Sequence, residues 1–304
     1  MPYKPLVTVI CLCFNHEKFV IECLNSVINQ LYSPIQLIII DDFSSDNSKK
    51  EIETWLQLNP EIEFIINDSN LGITKSFNKA LKLAKGEYVI DLAADDVLLP
   101  NCVMTQIKAF QNSIFKNLGV VYGNAEIIRE NGSFDSYFFQ VNDQKKVIQK
   151  RITGTIYENV LSDFSSICSV SAMIKKSVLD SLNGYDESLE YEDLDFWMRA
   201  SRLYEFDFID EPIIQKRIVT NSLASNFYKK KDSRTKKIDY STYLILKKGL
   251  QLNRSKQEDL AIQKRVHNSI IQCLNNKNYG LVLKNVWLRI ILAWRKTVKN
   301  YSFK

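Results

Sequence analysis

The first 92 residues alternate short apolar runs with segments whose apolar residues recur at helical spacing. The apolar runs are residues 6–14, 35–40, 63–67 and 87–92, and a helical pattern follows each of the first three. The runs are nearly continuous in apolar residues, which is typical of parallel strands covered on both faces. Strands alternating with helices predict an α/β fold with a doubly wound, mostly parallel sheet.

Polar side chains follow three of these strands. Asn15 comes after the first strand, Asp41 and Asp42 end the second, and Asp95 and Asp96 follow the fourth. In doubly wound sheets, ligands bind beyond the carboxyl ends of the strands. We therefore expect these five side chains to converge on one ligand site.

The stretch DLAADDVLLP, residues 91–100, places two carboxylates side by side at the end of a strand. Adjacent acids repel each other unless a cation or hydrogen-bond donors neutralise them. Mg²⁺ or Mn²⁺ shared with a diphosphate is the simplest partner, because these ions prefer oxygen ligands. The pair alone also fits two other interpretations: Asp95 capping a helix that begins near Pro100, or both acids solvated in a loop.

Composition excludes several other kinds of site. The chain has 304 residues, 45% of them hydrophobic, enough for a full-sized core with an appended element. Six cysteines without a CxxC pair favour reduced, buried thiols over a disulfide framework. Only His16 and His267 are present and neither has a spaced partner, so a zinc site or a histidine-based triad is not expected.

Charge divides the chain into two parts. Residues 1–228 carry 21 Lys and Arg against 31 Asp and Glu, a net −10, whereas residues 229–304 carry 19 against 4, a net +15. From about residue 225 the pattern is helical, without strand signals. We predict an α/β domain over residues 1–224 and a basic helical region over residues 225–304, with different partners.

The segment 279–304 mixes Trp287, Trp294 and aliphatic residues with lysines and arginines, and it contains no acid. Such a helix is typical of a segment that lies in an anionic membrane surface. A helix that packs its apolar face on the protein and exposes its lysines fits the same pattern. No nucleic-acid recognition motif accompanies the charge, so no nucleic-acid partner is expected.

The N-terminal apolar run is too short and too β-branched for a signal peptide. The longest uncharged run, residues 23–40, is interrupted by Asn and Gln residues and by Pro34, which makes it a poor membrane span. We expect a cytoplasmic protein held peripherally on the inner face of the cell membrane.

Five sequence blocks occur in order along the chain: VTVICLCFNHEKFVIECLNSVINQ, LIIIDDFSSDNS, NLGITKSFNKAL, GEYVIDLAADDVLLP and NGYDESLEYEDLDFWMRA. Together they resemble the family 2 glycosyltransferases, inverting enzymes with the nucleotide-sugar-binding GT-A fold. The resemblance covers residue 6 to about 220. It implies a GT-A catalytic domain with a Rossmann-like central sheet flanked by helices, followed by a C-terminal helical extension.

The resemblance also implies which residues hold the nucleotide. Asp42, with Asp41 beside it, would hydrogen-bond the uracil edge of a UDP donor. Phe14 and Asn15 would line the base pocket. The full nucleotide-binding set is Phe14, Asn15, Asp41, Asp42, Asn70, Gly72 and Asp96. Taken singly, Asp41 also fits a helix-capping acid and Phe14 a plain core residue.

The remaining roles concern metal and catalysis. By resemblance, Asp95 would ligate Mn²⁺ or Mg²⁺ between the two phosphates, and Asp96 would support it or touch the donor. Asp193, with Glu192 beside it, would be the general base that takes the acceptor hydroxyl's proton. A capping role fits Asp193 as well, because it stands at a predicted helix start. Single displacement by such a base inverts the anomeric centre.

The implied activity is transfer of a sugar, a hexosyl or N-acetylhexosaminyl group, from a nucleotide-diphosphate donor to a glycan hydroxyl. The acceptor would be a lipid-linked glycan in surface polysaccharide or lipopolysaccharide biosynthesis. Two alternatives stay open. One is a transferase acting on a protein or small molecule, and the other is a nucleotide-sugar-binding protein without catalysis.

Two positions depart from the family pattern. Many relatives carry an Asp where this chain has Ala93, so any contact that this acid makes with donor or metal is either missing here or supplied by Asp91 or Asp96. Relatives also often carry a His after the last strand, where this chain has Val219. These departures predict weaker metal affinity, or transfer without metal.

Overall fold

The computed structural model describes residues 3–163, 166–219 and 233–297, and the chain forms two compact units. The first unit contains Met1–Gly154, Ile167–Tyr185 and Tyr204–Val219. The second contains Thr155–Ser166, Asp186–Leu203 and Thr220–Lys304. The predicted boundary between residues 224 and 225 lies outside the described residues. The second unit includes two segments that precede that boundary.

The first unit is built on one mixed sheet in which the long pairings are parallel. Its strands are β1 (Val7–Cys13), β2 (Ile35–Asp41), β3 (Glu63–Ile66), β4 (Tyr88–Ala93), β5 (Val97–Leu98), β6 (Leu118–Arg129), β7 (Phe134–Tyr137), β8 (Met173–Lys175) and β9 (Glu205–Ile218). The strand order is β3-β2-β1-β4-β8-β6-β9-β5, with β7 paired to β6. Strands β1 to β4 are mutually parallel, as the alternating pattern predicts.

Ten α-helices are described. They are α1 (Val20–Ile28), α2 (Ser48–Leu56), α3 (Ile73–Leu81), α4 (Cys102–Asn112), α5 (Tyr157–Ser162), α6 (Lys176–Ser181), α7 (Asp193–Leu203), α8 (Ser233–Leu252), α9 (Lys256–Asn275) and α10 (Tyr279–Thr297). Helices α1 to α4 and α6 belong to the first unit, and the others to the second. None of the described helices is both long enough and apolar enough to cross a bilayer.

The register of the central strands sets the position of the site. Every residue of β1 is buried, which explains its unbroken apolar sequence. Cys13 at the end of β1 pairs with Asp41 of β2, and Leu12 pairs with Ala93 of β4. The three strands therefore end at the same level, and the residues that follow them are neighbours at one sheet edge.

Most of the elements predicted from the pattern are present, with shifted ends. Helix α3 ends at Leu81, and a turn follows it. Strand β8 begins at Met173, after a short 3₁₀ turn, Ser169–Ser171. Asn131 and Gly132 lie in the turn that joins β6 to β7, with Gly132 at a φ of 81°.

The regular secondary structure in the described part of the second unit is all helical. Its core contains Phe196 and Met198 of α7, Ile245 of α8, Val266 of α9 and Leu288 of α10, all at most 3% exposed. The Ser255 side chain accepts a hydrogen bond from the Glu258 amide and so caps α9. The helical pattern predicted after residue 225 is thus confirmed for residues 233–297.

Candidate functional site

Asp41 presents a buried carboxylate oxygen at the end of β2. Its side chain is almost fully buried, and its Oδ2 accepts a hydrogen bond from the Ser44 amide at 3.0 Å. Its Oδ1 is buried and has no hydrogen-bond partner among the described residues. A buried oxygen without a partner costs free energy, so this atom offers an acceptor to a ligand donor.

The neighbouring Asp42 is fully engaged within the protein. Its Oδ1 accepts hydrogen bonds from the Asn67 side chain, the Ser76 hydroxyl and the Leu71 amide. Its Oδ2 accepts one from the Gly72 amide at 2.8 Å. Asp42 therefore ties the end of β2 to the loop that leads into α3, and its lone pairs are used by that loop.

The loop after β1 lies against the loop after β2. The Asn15 amide donates to Ser44 Oγ at 2.9 Å, and Asn15 Oδ1 accepts from the Ser45 amide at 2.7 Å. Asn15 has a φ of 60°, a left-handed conformation that asparagine tolerates. These contacts leave the Phe14 ring 40% exposed, so Phe14 is not an ordinary core residue.

Two further predicted residues precede α3. Gly72 has a φ of 84°, which an L side chain rarely adopts, and its amide is the donor to Asp42. Asn70, two residues earlier, is exposed. The predicted nucleotide-binding residues thus stand at or after the ends of β1, β2, β3 and β4. Asp42 holds in place the loop that contains Gly72.

The acid pair after β4 is buried and asymmetric. Asp95 is 9% exposed and Asp96 is 3% exposed. Asp96 Oδ1 accepts a hydrogen bond from the Arg217 amide at 2.9 Å. Burial and the neighbouring Asp95 raise the pKa of Asp96 well above its usual value. Because Asp96 is tied to the Arg217 amide, Asp95 is the member of the pair whose carboxylate is left to face a ligand.

Arg217 of β9 supports this turn, a contact that no sequence pattern indicates. Its guanidinium is nearly buried, donates to the Asp95 carbonyl at 3.0 Å, and pairs with Glu22 at 2.6 Å. The guanidinium also donates to the carbonyls of Arg129 and Glu130. Because the donors of Arg217 face backbone carbonyls and Glu22, it fixes the turn and leaves the Asp95 carboxylate available.

His16 was not predicted as a site residue. Its Nε2 lies 3.8 Å from Asp95 Oδ2, and its Nδ1 is buried without a hydrogen-bond partner in the described part of the chain. No group of three or more His, Cys, Asp or Glu side chains able to hold a metal is found among the described residues. A carboxylate with one imidazole beside it fits a divalent ion that takes most of its ligands from a bound diphosphate and water.

The two positions suggested as substitutes for the missing acid at Ala93 are already engaged. Asp91 Oδ2 accepts a hydrogen bond from the Tyr185 hydroxyl at 2.9 Å. Burial raises the pKa of Asp91 to about 7, and that hydrogen bond offsets only part of the effect. Asp96 is held by the Arg217 amide. Neither carboxylate is therefore available to a ligand in the way that the carboxylate of Asp95 is.

In the second unit, Glu192 and Asp193 stand at the start of α7. Asp193 is the first residue of that helix, and its Oδ1 accepts a hydrogen bond from the Leu194 amide at 2.6 Å. Negative charge at a helix N-terminus is favourable. Both acids are partly exposed, which leaves them accessible to a substrate.

The segment that carries these acids is tied to α8. The Glu190 amide donates to Ser241 Oγ at 3.0 Å, and the Tyr191 hydroxyl lies 2.8 Å from Thr242 Oγ1. Lys248 of α8 pairs with Asp186 and with the fully buried Asp195. Helix α8 therefore fixes the segment on both sides of Glu192 and Asp193, a contact that the sequence pattern did not indicate.

Comparison with known sequences gives one family. Residues 8–182 match the family described as Glycosyl transferase family 2. An uncharacterised glycosyltransferase of Methanocaldococcus jannaschii is 32% identical over 219 residues, which are 71% of this chain and 71% of the relative. An uncharacterised glycosyltransferase of Haemophilus influenzae is 26% identical over 82% of this chain and 77% of its own length.

Solved structures share the fold. The S. aureus TarS structure of residues 1–349 in complex with UDP-GlcNAc has a TM-score of 0.63 at 18% identity, covering 87% of this chain and 72% of that one. The mannosyltransferase PcManGT from Pyrobaculum calidifontis in complex with GDP-Man and Mn²⁺ has a TM-score of 0.59 at 13% identity, covering 96% and 76%. At these identities the likeness concerns the GT-A fold alone.

Proposed function

We propose that this chain, which belongs to glycosyl transferase family 2, moves a sugar from a UDP-sugar donor to a glycan hydroxyl. The transfer inverts the anomeric centre of the sugar. The observation that carries the proposal is the unpartnered, buried Oδ1 of Asp41 at the sheet edge that also carries Asp95. A carboxylate acceptor beside a partly exposed aromatic ring suits the N–H of a uracil base. The UDP-GlcNAc complex of TarS supports a uridine donor.

In this proposal the two acids after β2 have different roles. Asp41 accepts the hydrogen bond from the base, while Asp42 holds the loop containing Gly72 in place. Phe14 offers its exposed ring face to the base, and Asn15 positions the loop that carries Phe14. Asn70 and Asp96 stay in the nucleotide-binding set, with Asp96 acting through the backbone of the turn.

Asp95, with His16 beside it, would hold Mn²⁺ or Mg²⁺. When bound, such an ion neutralises charge on a diphosphate leaving group. The Mn²⁺ in the PcManGT complex supports a divalent ion for this fold. Arg217 contributes rigidity, because its bond to the Asp95 carbonyl holds the backbone of the turn that carries the carboxylate.

Asp193 is the general base of the proposed reaction, and Glu192 is its acidic neighbour. Its carboxylate takes the proton from the acceptor hydroxyl while that oxygen bonds to the anomeric carbon and the bond to the diphosphate breaks. One displacement inverts the configuration at that carbon. The partial exposure of Asp193 and the bracing of its segment by Ser241, Thr242 and Lys248 support this role.

The proposed acceptor is a lipid-linked glycan of surface polysaccharide or lipopolysaccharide type, and the proposed location is the inner face of the cell membrane. The basic, tryptophan-containing helix α10 supports this location. Residues 298–304, the last part of the segment predicted to bind the membrane, lie outside the described residues.

The test is donor consumption by the purified protein across a panel of UDP-, GDP- and dTDP-sugars with Mn²⁺ or Mg²⁺. The proposal predicts metal-dependent hydrolysis of one UDP-sugar that is absent in Asp95→Ala. A lipid-linked glycan should accelerate consumption, whereas protein and small-molecule acceptors should not. UDP binding without consumption of any donor, with and without acceptor, would favour a nucleotide-sugar-binding protein that does not catalyse transfer.

A further inference from the structure

Helix α10 has two apolar faces, and only one of them is covered. Leu281, Leu288 and Leu292 are at most 6% exposed and pack inside the second unit. A second stripe is exposed and is here called the outer stripe: Leu283 is 72% exposed, Trp287 62%, Ile290 50% and Trp294 66%. At 100° per residue these four side chains lie within about 60° of one another. The helix therefore packs on the protein and presents a second apolar surface to its surroundings.

Basic residues lie on both flanks of the outer stripe. By helical position, Lys284 lies on one side between the buried and exposed faces, and Arg289 and Lys296 lie on the other. Arg295, which is on the same side as Lys284, pairs with Asp259 at 3.4 Å and donates to the Leu250 carbonyl, so it is not one of the flanking cations. The Lys284 ammonium lies 5.4 Å from the ring centroid of Tyr240 and 5.6 Å from that of Tyr243. No acid follows Asp259 in the sequence.

We propose that the outer stripe docks on an anionic lipid bilayer and lies parallel to its surface. Tryptophan favours the membrane interface, where its ring is buried and its N–H stays hydrated. Lysines and arginines beside an apolar stripe are attracted to anionic headgroups. The stripe extends over about 16 Å of helix axis, the length of an interfacial contact rather than a span.

The charges argue against a second copy of the chain as the occupant. Two outer stripes brought face to face would place the flanking cations of both helices together. Like charges across an interface disfavour association. An anionic bilayer offers negative headgroups to the flanking cations and an apolar layer to the outer stripe. The inference deepens the proposed function, since a lipid-linked acceptor would be met at the surface where the helix lies.

The experiment is flotation of the purified full chain with lipid vesicles. Wild type should float with phosphatidylcholine vesicles containing 30% phosphatidylglycerol, about tenfold more than with pure phosphatidylcholine, and 0.5 M NaCl should weaken binding. Trp287→Gln with Trp294→Gln should reduce binding at least about tenfold, because both rings leave the interface. Leu58→Gln is the matched control, since Leu58 is 86% exposed in the first unit.

The outcomes separate the membrane inference from the proposed activity. Equal binding by wild type and the double variant, or no binding of wild type to anionic vesicles, would overturn the inference. A wild-type dimer that the double variant converts to monomer, without vesicle binding, would also overturn it. Donor hydrolysis in solution should be the same in both proteins. Vesicle binding without consumption of any donor would instead contradict the proposed activity and leave the docking surface intact.

Discussion

The ammonium of Lys248 lies 2.7 Å from Oδ1 of Asp195, a fully buried carboxylate two residues beyond Asp193. Asp195 Oδ2 accepts a hydrogen bond from Arg199 at 2.7 Å, so both of its oxygens are used. Lys248 also pairs with Asp186. A lysine of the basic C-terminal region thus neutralises two acids of the segment that carries the proposed base.

Replacing Lys248 by Met should lower both stability and turnover. Asp195 keeps Arg199 as a partner, whereas Asp186 loses its cation; because Lys248 and Asp186 are both partly exposed, the loss should cost about 1 to 3 kcal/mol. Urea unfolding measures the stability, and steady-state kinetics should show a fall in kcat with little change in the KM for donor. Lys248→Arg should recover most of the activity. Unchanged kcat in Lys248→Met would refute the positioning role.

Because of the Lys248–Asp186 pair, the difference in unfolding free energy between wild type and Lys248→Met should also depend on pH. Burial raises the pKa of Asp186, but hydrogen bonds from Lys248 and Ser188, together with the charge of Lys248, outweigh it and bring the pKa to about 2. The folded-state pKa is below the unfolded value of about 4, so the stabilisation is present above pH 4 and lost toward pH 2. The free energy of unfolding of wild type and Lys248→Met should therefore converge between pH 4 and pH 2.

Asp41 and Asp42 should respond differently to substitution. Asp41→Asn can turn the buried acceptor at Oδ1 into a donor, so UDP affinity should fall about 10- to 100-fold with little loss of stability. Asp42→Ala leaves the Leu71 and Gly72 amides and the Asn67 side chain without their acceptor, so it should destabilise the fold by about 3 kcal/mol. Calorimetric UDP titration and urea unfolding separate the two effects. Equal UDP affinity in Asp41→Asn and wild type would contradict the assigned role of Asp41.

Asp91 should make the protein less stable as the pH rises. Its folded-state pKa of about 7 is above the unfolded value of about 4, so the folded protein binds the proton more tightly. Stability from this residue is therefore lost between pH 4 and pH 7, up to about 4 kcal/mol. In Asp91→Asn, this fall of the unfolding free energy with rising pH should be absent when unfolding is measured from pH 4 to pH 8. A pH dependence identical to that of wild type would show that Asp91 titrates normally.

Mn²⁺ binding in the presence of UDP should depend on Asp95 and His16. Asp95→Asn should abolish the metal-dependent part of UDP affinity, since it removes the carboxylate suited to the ion. His16→Gln should weaken Mn²⁺ binding about tenfold if the imidazole assists the ion. Titration calorimetry with Mn²⁺ measures both, and His267→Gln is the control for loss of a histidine elsewhere. Equal Mn²⁺ affinity in wild type and Asp95→Asn would exclude this site.

The central part of the fold was predictable because its signals are local. Unbroken apolar runs such as residues 6–14 identify buried strands, and parallel strand ends place Asp41 and Asp95 at one edge whatever the details of packing. Sequence patterns gave the helical C-terminal region for the same reason. The position of Ser255 before Glu258 is a capping signal of this local kind.

The supporting contacts were not predictable, because they join residues far apart in sequence. Arg217 reaches Asp95, and Lys248 reaches Asp195, across 122 and 53 positions. Asp42 accepts hydrogen bonds from the loop before α3, and these bonds depend on the path of that loop. Helix α10 was predicted either to bind a membrane or to pack on the protein, and its buried and exposed apolar faces show that packing leaves the outer stripe available.

Asp193→Asn tests the proposed role of Asp193 as the base of an inverting transfer. Turnover of the UDP-sugar identified in the donor panel, with its acceptor, should be measured for wild type and Asp193→Asn beside UDP affinity. We expect kcat to fall at least about 100-fold in Asp193→Asn, with unchanged UDP affinity and unfolding free energy. Wild-type turnover by a correctly folded Asp193→Asn protein would show that Asp193 is not the base.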